Sequence, residues 1–515
     1  MIVDPVVIVG AGPVGLTLSL ALAHNGVTTL VLDGEPPSPA LSPPRPARTA
    51  VLRPATEAFL ARLGCAPAGL RLTAWRATRG ADPAAGRTLR QVAYEAPGPL
   101  HVPQQPLVDA LRAAVAAHDL ATLVPDARVD TLEQEAAGVS VRTRAAREDA
   151  KPVWWRGSYA VGCDGARSAV RKLLAVPFPG RTAVERHAVA AIRTELPWAG
   201  GSGEAGGTGG TVLCGAPSEV CARPLPGGVW RLDWLLPPDA GLVTPEALTG
   251  RVEGTLAAWG GGPYELLDTG VHTVHHRLAR SFRSGRVLLA GDAAHLHGAL
   301  GAQQLDEGLQ DAENLAWRLA AALRRPERAR AVLGAYETER RGVLGQRLRA
   351  ADQALALVRR RSGEWRRGQA LTLLTDGHLG RGPLGAPLGY ATPPPVPSLP
   401  VGTALGAPAA QVEVIAPDGR ETSLHACLGR SVVVVLIAPG TRVWRHGDWL
   451  TAGLMPALLR TVAELPVEAS LVVAEEYPGA PAHSVLVVRP DGRLAAVLPG
   501  GDTAALRACV ESLGG

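Results

Sequence analysis

A chain of 515 residues exceeds the size of one compact core, so two or three domains are expected and a single small binding module is excluded. Hydrophobic residues make up 46% of the chain, but no apolar run is long enough to cross a bilayer, which argues against a membrane-spanning protein. The formal net charge is +5, and the densest basic run, residues 359–367, carries no nucleic-acid recognition motif and is interpreted as a solvated helix face.

The first predicted elements are a strand, a glycine-rich turn and a helix. Val6–Val9 forms a short apolar strand, and residues 16–26 have helical character and end on a glycine. A second strand, residues 28–32, leads directly into Asp33. This order is typical of a βαβ unit that binds a dinucleotide.

The residues of this turn have separate physical tasks. Gly10 permits the tight turn, Gly12 lets the backbone approach a pyrophosphate, and Gly15 allows the helix to pack closely on the strand. The diphosphate would lie at the positive end of the helix dipole, and Asp33 would bind ribose hydroxyls. The turn does not separate FAD from NAD. The predicted dinucleotide-binding residues are Gly10, Gly12, Pro13, Val14, Gly15 and Asp33.

Two later segments resemble motifs of the p-hydroxybenzoate hydroxylase-fold (group A) flavoprotein monooxygenases, especially the branch that acts on aromatic polyketides. Residues 159–171, YAVGCDGARSAVR, resemble the DG motif, which in that family helps to bind FAD and NADPH. Residues 286–295, RVLLAGDAAH, resemble the second flavin motif, in which the aspartate holds the ribityl chain. The resemblance implies FAD as the cofactor and NADPH or NADH as a transient reductant. It assigns cofactor binding to Asp164, Gly165, Gly291 and Asp292.

The resemblance extends to further residues along the chain. Arg48 and Gln104 would contact the flavin or its ribose, although the adjacent Gln105 competes for the second position. His297 is a candidate catalytic residue: it would face the substrate or the flavin edge, or would be a loop histidine bonded to the backbone. Segments 308–315 and 336–341 also fit the family. Three residues assigned to the flavin ring loop are Gly301, Ala302 and Leu305.

The loop that begins at His297 departs from the family pattern, which is roughly H-P-P-T-G-G-Q-G-L-N. Side chains in place of its glycines would crowd the approach of backbone amides to the flavin pyrimidine. An ionised Asp306 would oppose negative charge on the reduced ring, or would instead cap its helix. This supports a second hypothesis, a protein of the same fold with altered or lost flavin redox function that acts as a redox-neutral catalyst or partner subunit. The departures are Gly298, Ala299, Ala302, Gln304 and Asp306.

The predicted fold is α/β, with a discontinuous Rossmann-like FAD-binding domain, an inserted antiparallel-sheet substrate domain and a C-terminal thioredoxin-like α/β domain. No cysteine pair follows the first strand of the last domain, so thiol chemistry is not expected there and packing or a dimer contact is its default role. The predicted boundaries are 1–177 and 284–392 for the FAD-binding domain with its helices, 178–283 for the substrate domain, 393–400 for a linker and 401–515 for the thioredoxin-like domain.

The resemblance implies an FAD-dependent monooxygenase that uses NAD(P)H and O2 to hydroxylate an aromatic polyketide-like intermediate, with Baeyer–Villiger oxygenation as a related alternative. The expected partners are this small molecule and O2, with a homodimer as an option. The six dispersed cysteines and the cluster of His272, His275 and His276 lack metal-ligand patterns, so neither a disulfide framework nor a metal site is expected. The N-terminus lacks the basic region of a secretion signal, which indicates a cytoplasmic protein.

Overall fold

The computed structural model describes most of the chain in several stretches. None of the helices in these stretches is both long enough and apolar enough to cross a membrane. The described residues are 4–35, 45–79, 87–94, 96–145, 151–196, 209–215, 220–236, 241–297, 304–359, 389–390, 396–440 and 453–513.

The described residues form both helices and strands, and several runs of consecutive strands have no α-helix between them. The helices are α1 Pro13–His24, α2 Pro54–Arg62, α3 Gln104–Ala116, α4 Ala169–Leu173, α5 Pro245–Ala258, α6 Gln304–Arg324, α7 Ala329–Arg359, α8 Met455–Ala463 and α9 Thr503–Leu513. The strands are β1 Val6–Val9, β2 Thr29–Leu32, β3 Thr49–Leu52, β4 Leu70–Arg79, β5 Arg87–Ala93, β6 Leu100–Pro103, β7 Ala121–Val124, β8 Arg128–Gln134, β9 Val139–Arg144, β10 Val153–Gly157, β11 Tyr159–Gly162, β12 Gly180–Thr194, β13 Gly209–Gly215, β14 Val220–Leu225, β15 Val229–Leu236, β16 Tyr264–Leu278, β17 Arg283–Ser284, β18 Val287–Leu289, β19 His295–Leu296, β20 Glu413–Ile415, β21 Glu421–Ser423, β22 Val432–Ile437, β23 Ala469–Ala474, β24 Ser484–Val488 and β25 Leu494–Pro499.

The first sheet is six-stranded, in the order β17-β18-β11-β1-β2-β7. β1 runs parallel to β2 and β11, and β11 runs parallel to β18. Strands β1, β2, β11 and β18 are buried along their whole length, as expected for parallel strands covered on both faces. Because β18 follows β11 only after a long insertion, this sheet is assembled from discontinuous stretches of chain. A separate three-stranded sheet, β10-β9-β8, lies beside it.

The second large sheet is ten-stranded, in the order β19-β16-β12-β15-β14-β13-β4-β6-β3 with β5 paired to β4. One face buries Trp230, Leu232 and Trp234 in a cluster with the apolar side of α5. The alternating residues of β15 therefore lie on the opposite face, towards the FAD-binding domain. The predicted substrate domain was residues 178–283. The ten-stranded sheet also includes β3 to β6, which lie before residue 178, so it combines strands from inside and outside the predicted segment.

One expectation about the cysteines was wrong. Cys221 in β14 is disulfide-bonded. Cys214 in β13 stands opposite it in the antiparallel register. The two positions look dispersed in the sequence, but a hairpin places residues on its two strands face to face.

The C-terminal sheet is also six-stranded, in the order β21-β20-β23-β22-β24-β25, and α8 and α9 pack on one of its faces. The turn between β24 and β25 reaches the FAD-binding domain. Arg489 donates to both carboxylate oxygens of Glu339 in α7, at 2.7 and 2.9 Å. Asp491 accepts from Asn314 in α6 at 2.9 Å. The buried ion pair joins the C-terminal domain to α7, and the hydrogen bond joins it to α6, the helix that begins at the candidate site.

Candidate functional site

The glycine-rich turn after β1 is tightly enclosed at two positions. Gly10 has φ of +105°, and its N–H donates to the Leu32 carbonyl at 2.7 Å. A Cβ on Gly10 would lie 2.6 Å from the Cys163 carbonyl oxygen, and one on Gly15 would lie 2.0 Å from the Gly10 carbonyl oxygen. Only glycine fits either position, and the close contact with Cys163 brings the DG segment against the turn.

Gly12 differs from its neighbours because it faces open space. It is the N-cap of α1, has no side-chain cap, and would have nothing within 4 Å of an added Cβ. Pro13 at the first helical position suits the helix start, and the helix N-terminus there favours an anion. Val14 packs on the second flavin motif, since a Cβ on Gly291 or Gly308 would lie 3.0 or 2.8 Å from its Cγ2. This cradle fits the diphosphate of a dinucleotide.

Asp33 lies at the end of β2 and is 8% exposed. Its Oδ1 accepts from the Glu35 N–H at 3.3 Å, and its Oδ2 accepts from Arg112 in α3 at 3.2 Å. Each carboxylate oxygen has a further lone pair, so a ribose hydroxyl can still bind. Sequence reasoning missed Arg112, because nothing local marks a surface-helix arginine as a partner of Asp33.

The DG segment combines a helix cap with a link between motifs. Asp164 accepts from the Ser168 hydroxyl at 2.5 Å and from the Ala169 and Val170 amides at 2.6 and 3.0 Å, so it caps α4. Gly165 follows with φ of +76°. These contacts show a structural task for Asp164, and its predicted cofactor contact stays a prediction.

Arg171 connects the two flavin motifs and was not singled out from the sequence. It donates to the Ala293 carbonyl in the second motif and to the Ala166 carbonyl in the first, both at 2.8 Å. Its guanidinium also lies 3.9 Å from the centroid of the Phe178 ring. The buried arginine therefore holds both motifs in register.

The second flavin motif is fixed by Asp311 from α6. Asp311 Oδ2 accepts from the Gly291 N–H and bonds to His295 Nε2, both at 2.8 Å. Arg340 donates to Asp311 Oδ1 at 2.6 Å. Burial alone would raise the pKa of Asp311, but Arg340 and His295 hold this pKa below its usual range. Asp311 and Arg340 belong to the two segments, 308–315 and 336–341, that fit the family pattern.

Asp292 faces the start of α6 rather than open space. Its Oδ1 accepts from Gln304 Nε2 at 2.7 Å. Burial raises the pKa of Asp292. Leu305, which follows Gln304 in the sequence, is partly buried against the main core. The remaining loop positions lie outside the described residues: Gly298, Ala299, Gly301 and Ala302.

Asp306 adopts neither of the two roles considered for it. It is the third residue of α6, not its cap, and it is fully buried. Its Oδ1 accepts from the Arg53 N–H at 2.9 Å, and its Oδ2 lies 3.0 Å from Arg53 Nη1. Because Arg53 neutralises this carboxylate, Asp306 does not present an uncompensated negative charge to the site.

Glu307, beside Asp306, is the centre of a buried ion network. It pairs with Arg53 at 2.7 Å, with Arg340 at 2.8 Å and with Arg347 at 2.7 Å. Burial alone would raise its pKa, but Arg347, Arg53 and Arg340 hold the pKa of Glu307 well below its usual range. The network anchors the first turns of α6 to both α7 and the end of β3.

His297 is buried, with 7% of its surface exposed. Neither ring nitrogen has a hydrogen-bond partner among the described residues. The alternative that His297 is a loop histidine bonded to the backbone is therefore not supported by a bond to these residues. Its ring centroid lies 5.4 Å from that of His295. Burial and the neighbouring His295 lower the pKa of His297 to about 3, so the ring is neutral at physiological pH.

Arg48 and Gln104 lie together, because the Gln104 N–H donates to the Arg48 carbonyl at 2.9 Å. The Arg48 side chain is exposed, and Gln104 is half-buried. Gln105 is exposed and donates to Asp109 in the next turn of α3 at 2.9 Å. Of the two competing glutamines, the geometry therefore favours Gln104 as the cofactor contact.

We expect Gln104→Ala to weaken FAD binding by roughly fivefold, the loss of one hydrogen bond worth about 1 kcal/mol. Gln105→Ala is the matched control and should leave the dissociation constant unchanged, since its amide is engaged on the helix surface. Quenching of flavin fluorescence on titration with apoprotein measures both. A larger effect for Gln105→Ala would reverse the assignment.

The face of the large sheet turned towards the FAD-binding domain carries a buried charged cluster. Arg231 donates to Thr49 in β3 at 2.8 Å and to both oxygens of Asp233 at 3.0 Å. Arg223 donates to the same carboxylate at 2.6 Å. Burial alone would raise the pKa of Asp233, but Arg231 and Arg223 lower this pKa below its usual range. Two arginines share one carboxylate, which leaves net positive charge on this face. The sequence indicated the strand here, but not the cluster.

A glycine cradle at the N-terminus of α1, with segments 159–171 and 286–295 packed close to it, defines a dinucleotide-binding protein. The sequence profile described as "FAD binding domain" matches residues 4–351, and the chain belongs to this family. The predicted resemblance, fold class and FAD cofactor are thereby confirmed. In the described part of the chain, no group of three or more His, Cys, Asp or Glu residues is arranged to hold a metal ion.

Several known proteins are similar to this chain. A 3-(3-hydroxy-phenyl)propionate/3-hydroxycinnamic acid hydroxylase of Mycolicibacterium smegmatis is 32% identical over 65% of this chain and 58% of its own length. A 12-dehydrotetracycline 5-monooxygenase/anhydrotetracycline 6-monooxygenase of Streptomyces rimosus is 32% identical over 68% of this chain and 69% of its own. The fold matches the flavin-dependent monooxygenase PieE, solved with FAD and substrate, with a TM-score of 0.77 and 20% identity over 99% of this chain and 98% of that one. The chain thus spans less than two thirds of the first of these relatives.

Proposed function

We propose that the protein is an FAD-dependent monooxygenase that uses NADPH or NADH and O2 to hydroxylate an aromatic, polyketide-like intermediate. One observation carries the proposal: β3, the last strand of the large sheet, contacts both α6 and the charged cluster on that sheet. β3 contacts α6, and its Thr49 accepts from Arg231. From these contacts we infer that the substrate would lie between the cofactor site and the charged cluster. Two relatives named as a hydroxylase and a monooxygenase support this class of reaction.

The chain's own residues would bind the cofactor and leave the oxygen chemistry to it. FAD, when bound, supplies the reactive centre. The α1 N-terminus would hold the diphosphate, Asp33 the ribose and Asp292 the ribityl chain. The N-terminus of α6 would stabilise negative charge on the ring, and the Arg53 ion pair keeps Asp306 from opposing it.

The sheet face would orient the substrate. The surplus positive charge of Arg223 and Arg231 over Asp233 would favour the phenolate form of an aromatic hydroxyl, which is the more electron-rich ring. His297 is neutral, so its role would be to hydrogen-bond the substrate or the flavin edge rather than to supply charge.

Two alternatives remain in the proposal. Baeyer–Villiger oxygenation would use the same cofactor site on a ketone. The departures from the family pattern also suggested a redox-neutral catalyst or partner subunit, partly because an ionised Asp306 would oppose negative charge on the reduced flavin. That reason is weakened because Arg53 neutralises Asp306. The bond between Gln304 and Asp292 is the observation that still favours altered flavin binding.

The purified protein is expected to be yellow and to bleach when NADPH is added under nitrogen. Readmission of O2 with an anhydrotetracycline-type phenol as the probe should then yield a product heavier by one oxygen, detected by mass spectrometry. Bound flavin that NADPH fails to reduce, with or without the probe, would contradict the monooxygenase and favour the redox-neutral alternative. A lactone product would favour Baeyer–Villiger chemistry.

We also propose a cytoplasmic homodimer, in which the C-terminal domain packs on the FAD-binding domain of its own chain and leaves its outer face for the contact. The buried contacts of Arg489 with Glu339 support the packing of the C-terminal domain on the FAD-binding domain. Sedimentation equilibrium tests the homodimer, since a mass that stays monomeric across micromolar concentrations would exclude it.

A further inference from the structure

The carboxylate of Asp292 already has a partner from the chain itself. Gln304 Nε2 donates to its Oδ1 at 2.7 Å, and no other described residue donates to this carboxylate. A carboxylate that is removed from water needs hydrogen bonds to remain charged, and Asp292 is partly buried. Gln304 therefore meets a need that a bound ligand would otherwise meet.

Gln304 departs from the family pattern, which has glycine at this position, and glycine has no side-chain donor. We propose that Gln304 is a built-in competitor of the cofactor, which occupies Asp292 in the free protein and must be displaced when the ribityl chain of FAD binds. FAD is then held more weakly and exchanges more readily than it would without this side chain. The inference rests on the proposed function only in placing Asp292 at the ribityl chain.

The surrounding contacts make this displacement a movement of one side chain. Two and three residues further along α6, Asp306 is paired with Arg53, and Glu307 with Arg53, Arg340 and Arg347. The helix backbone is therefore anchored just after Gln304. The glutamine side chain has several rotatable bonds and is only partly buried, so it can leave Asp292 without unwinding the helix.

The competition predicts opposite effects on the free and the FAD-bound protein. Gln304→Ala removes the donor from Asp292, so the apoprotein should melt at a lower temperature. FAD should bind roughly five- to tenfold more tightly, because nothing has to be displaced. A purely structural role for Gln304 would instead weaken both properties together. Titration of apoprotein with FAD by fluorescence quenching, and thermal melts without FAD, give the two readings.

Matched variants separate the possible outcomes. Gln105→Ala removes the same kind of amide-to-carboxylate bond from the surface and should change neither reading. Gln304→Met keeps the side-chain length without the donor, and replaces the alanine variant if that fails to fold. Asp292→Ala should weaken FAD binding, and adding Gln304→Ala to it should give no further tightening, because the competition needs both partners.

Weaker FAD binding in Gln304→Ala and Gln304→Met would overturn the inference and show that the glutamine assists the cofactor. Unchanged binding in both would overturn it as well. Unchanged binding in Asp292→Ala would show that Asp292 does not hold the ribityl chain, which is a failure of the proposed site. None of these readings depends on oxygenation, so the inference and the proposed activity can fail separately.

Discussion

Gly12→Ala is expected to raise the dissociation constant for FAD about 100-fold, equivalent to about 2.7 kcal/mol, while the apoprotein stays folded. The added methyl group would enter the open space above the N-terminus of α1, where the diphosphate would lie against the backbone. Flavin fluorescence quenching measures the binding, and urea denaturation of the apoprotein measures its stability.

The stability of the apoprotein should change by less than about 0.5 kcal/mol in Gly12→Ala. Gly12 has φ of −72° and ψ of 175°, a conformation open to alanine, and no atom lies within 4 Å of the new Cβ. The loss of binding is therefore a direct consequence of filling the cradle.

Gly15→Ala is the contrasting control three residues later. Its Cβ would lie 2.0 Å from the Gly10 carbonyl oxygen, so the turn itself must shift and the apoprotein should lose stability. If Gly12→Ala bound FAD as tightly as the natural chain, the cradle would not be the diphosphate site. If Gly12→Ala destabilised the apoprotein as much as Gly15→Ala, the space above Gly12 would not be open.

Arg340→Met is expected to lower the free energy of unfolding by about 3–5 kcal/mol near pH 7. Arg340 is completely buried, and it bonds Asp311 at 2.6 Å and Glu307 at 2.8 Å. Methionine keeps much of the volume but leaves two buried carboxylates with one less cation. Chemical denaturation at a series of pH values measures the effect.

The deficit of Arg340→Met should shrink as the pH falls. In the natural chain the pKa of Glu307 is well below its usual range and that of Asp311 is also lowered. Such carboxylates stabilise the fold above their unfolded pKa of about 4, and this stability is lost as the pH falls through the folded pKa. Without Arg340 the folded pKa values rise, so protonation relieves the buried charges already in mildly acidic solution.

Arg193→Met provides the comparison for Arg340→Met. Arg193 pairs with Glu265 on the surface, where both side chains are more than half exposed, so its loss should change stability by about 1 kcal/mol or less at any pH. A deficit in Arg340→Met that stayed constant between neutral and acidic pH would indicate lost packing rather than unpaired charge.

The N-terminal sequence was sufficient to predict the nucleotide turn, because its geometry depends on neighbours a few residues apart. Gly10 and Gly15 stand where only glycine fits, Gly12 is the N-cap of α1, and Asp33 directly follows the second strand. The resemblance of segments 159–171 and 286–295 to known flavin motifs was likewise sufficient for the fold class and for FAD. The domain boundaries and the individual cofactor contacts remain predictions.

The roles of Asp306 and Gln304 were decided only by the tertiary structure. Asp306 was expected to repel the reduced ring or to cap its helix, and Arg53, more than two hundred residues earlier, neutralises it instead. Gln304 was expected only to crowd the site, and it bonds Asp292. The charged cluster of Arg223, Arg231 and Asp233 also had no marker in the sequence, because its members look like ordinary alternating strand residues.

Local periodicity and glycine spacing therefore predicted the nucleotide-binding strand, turn and helix, since these follow from short-range geometry. FAD as the cofactor came from the resemblance of segments 159–171 and 286–295 to known flavin motifs. How its buried charges are paired followed from long-range packing, because a carboxylate in the sequence carries no mark of the distant arginine or glutamine that will meet it. In the segment that departs from the family pattern, Arg53 neutralises Asp306 and Gln304 bonds Asp292, and the sequence marks neither pairing.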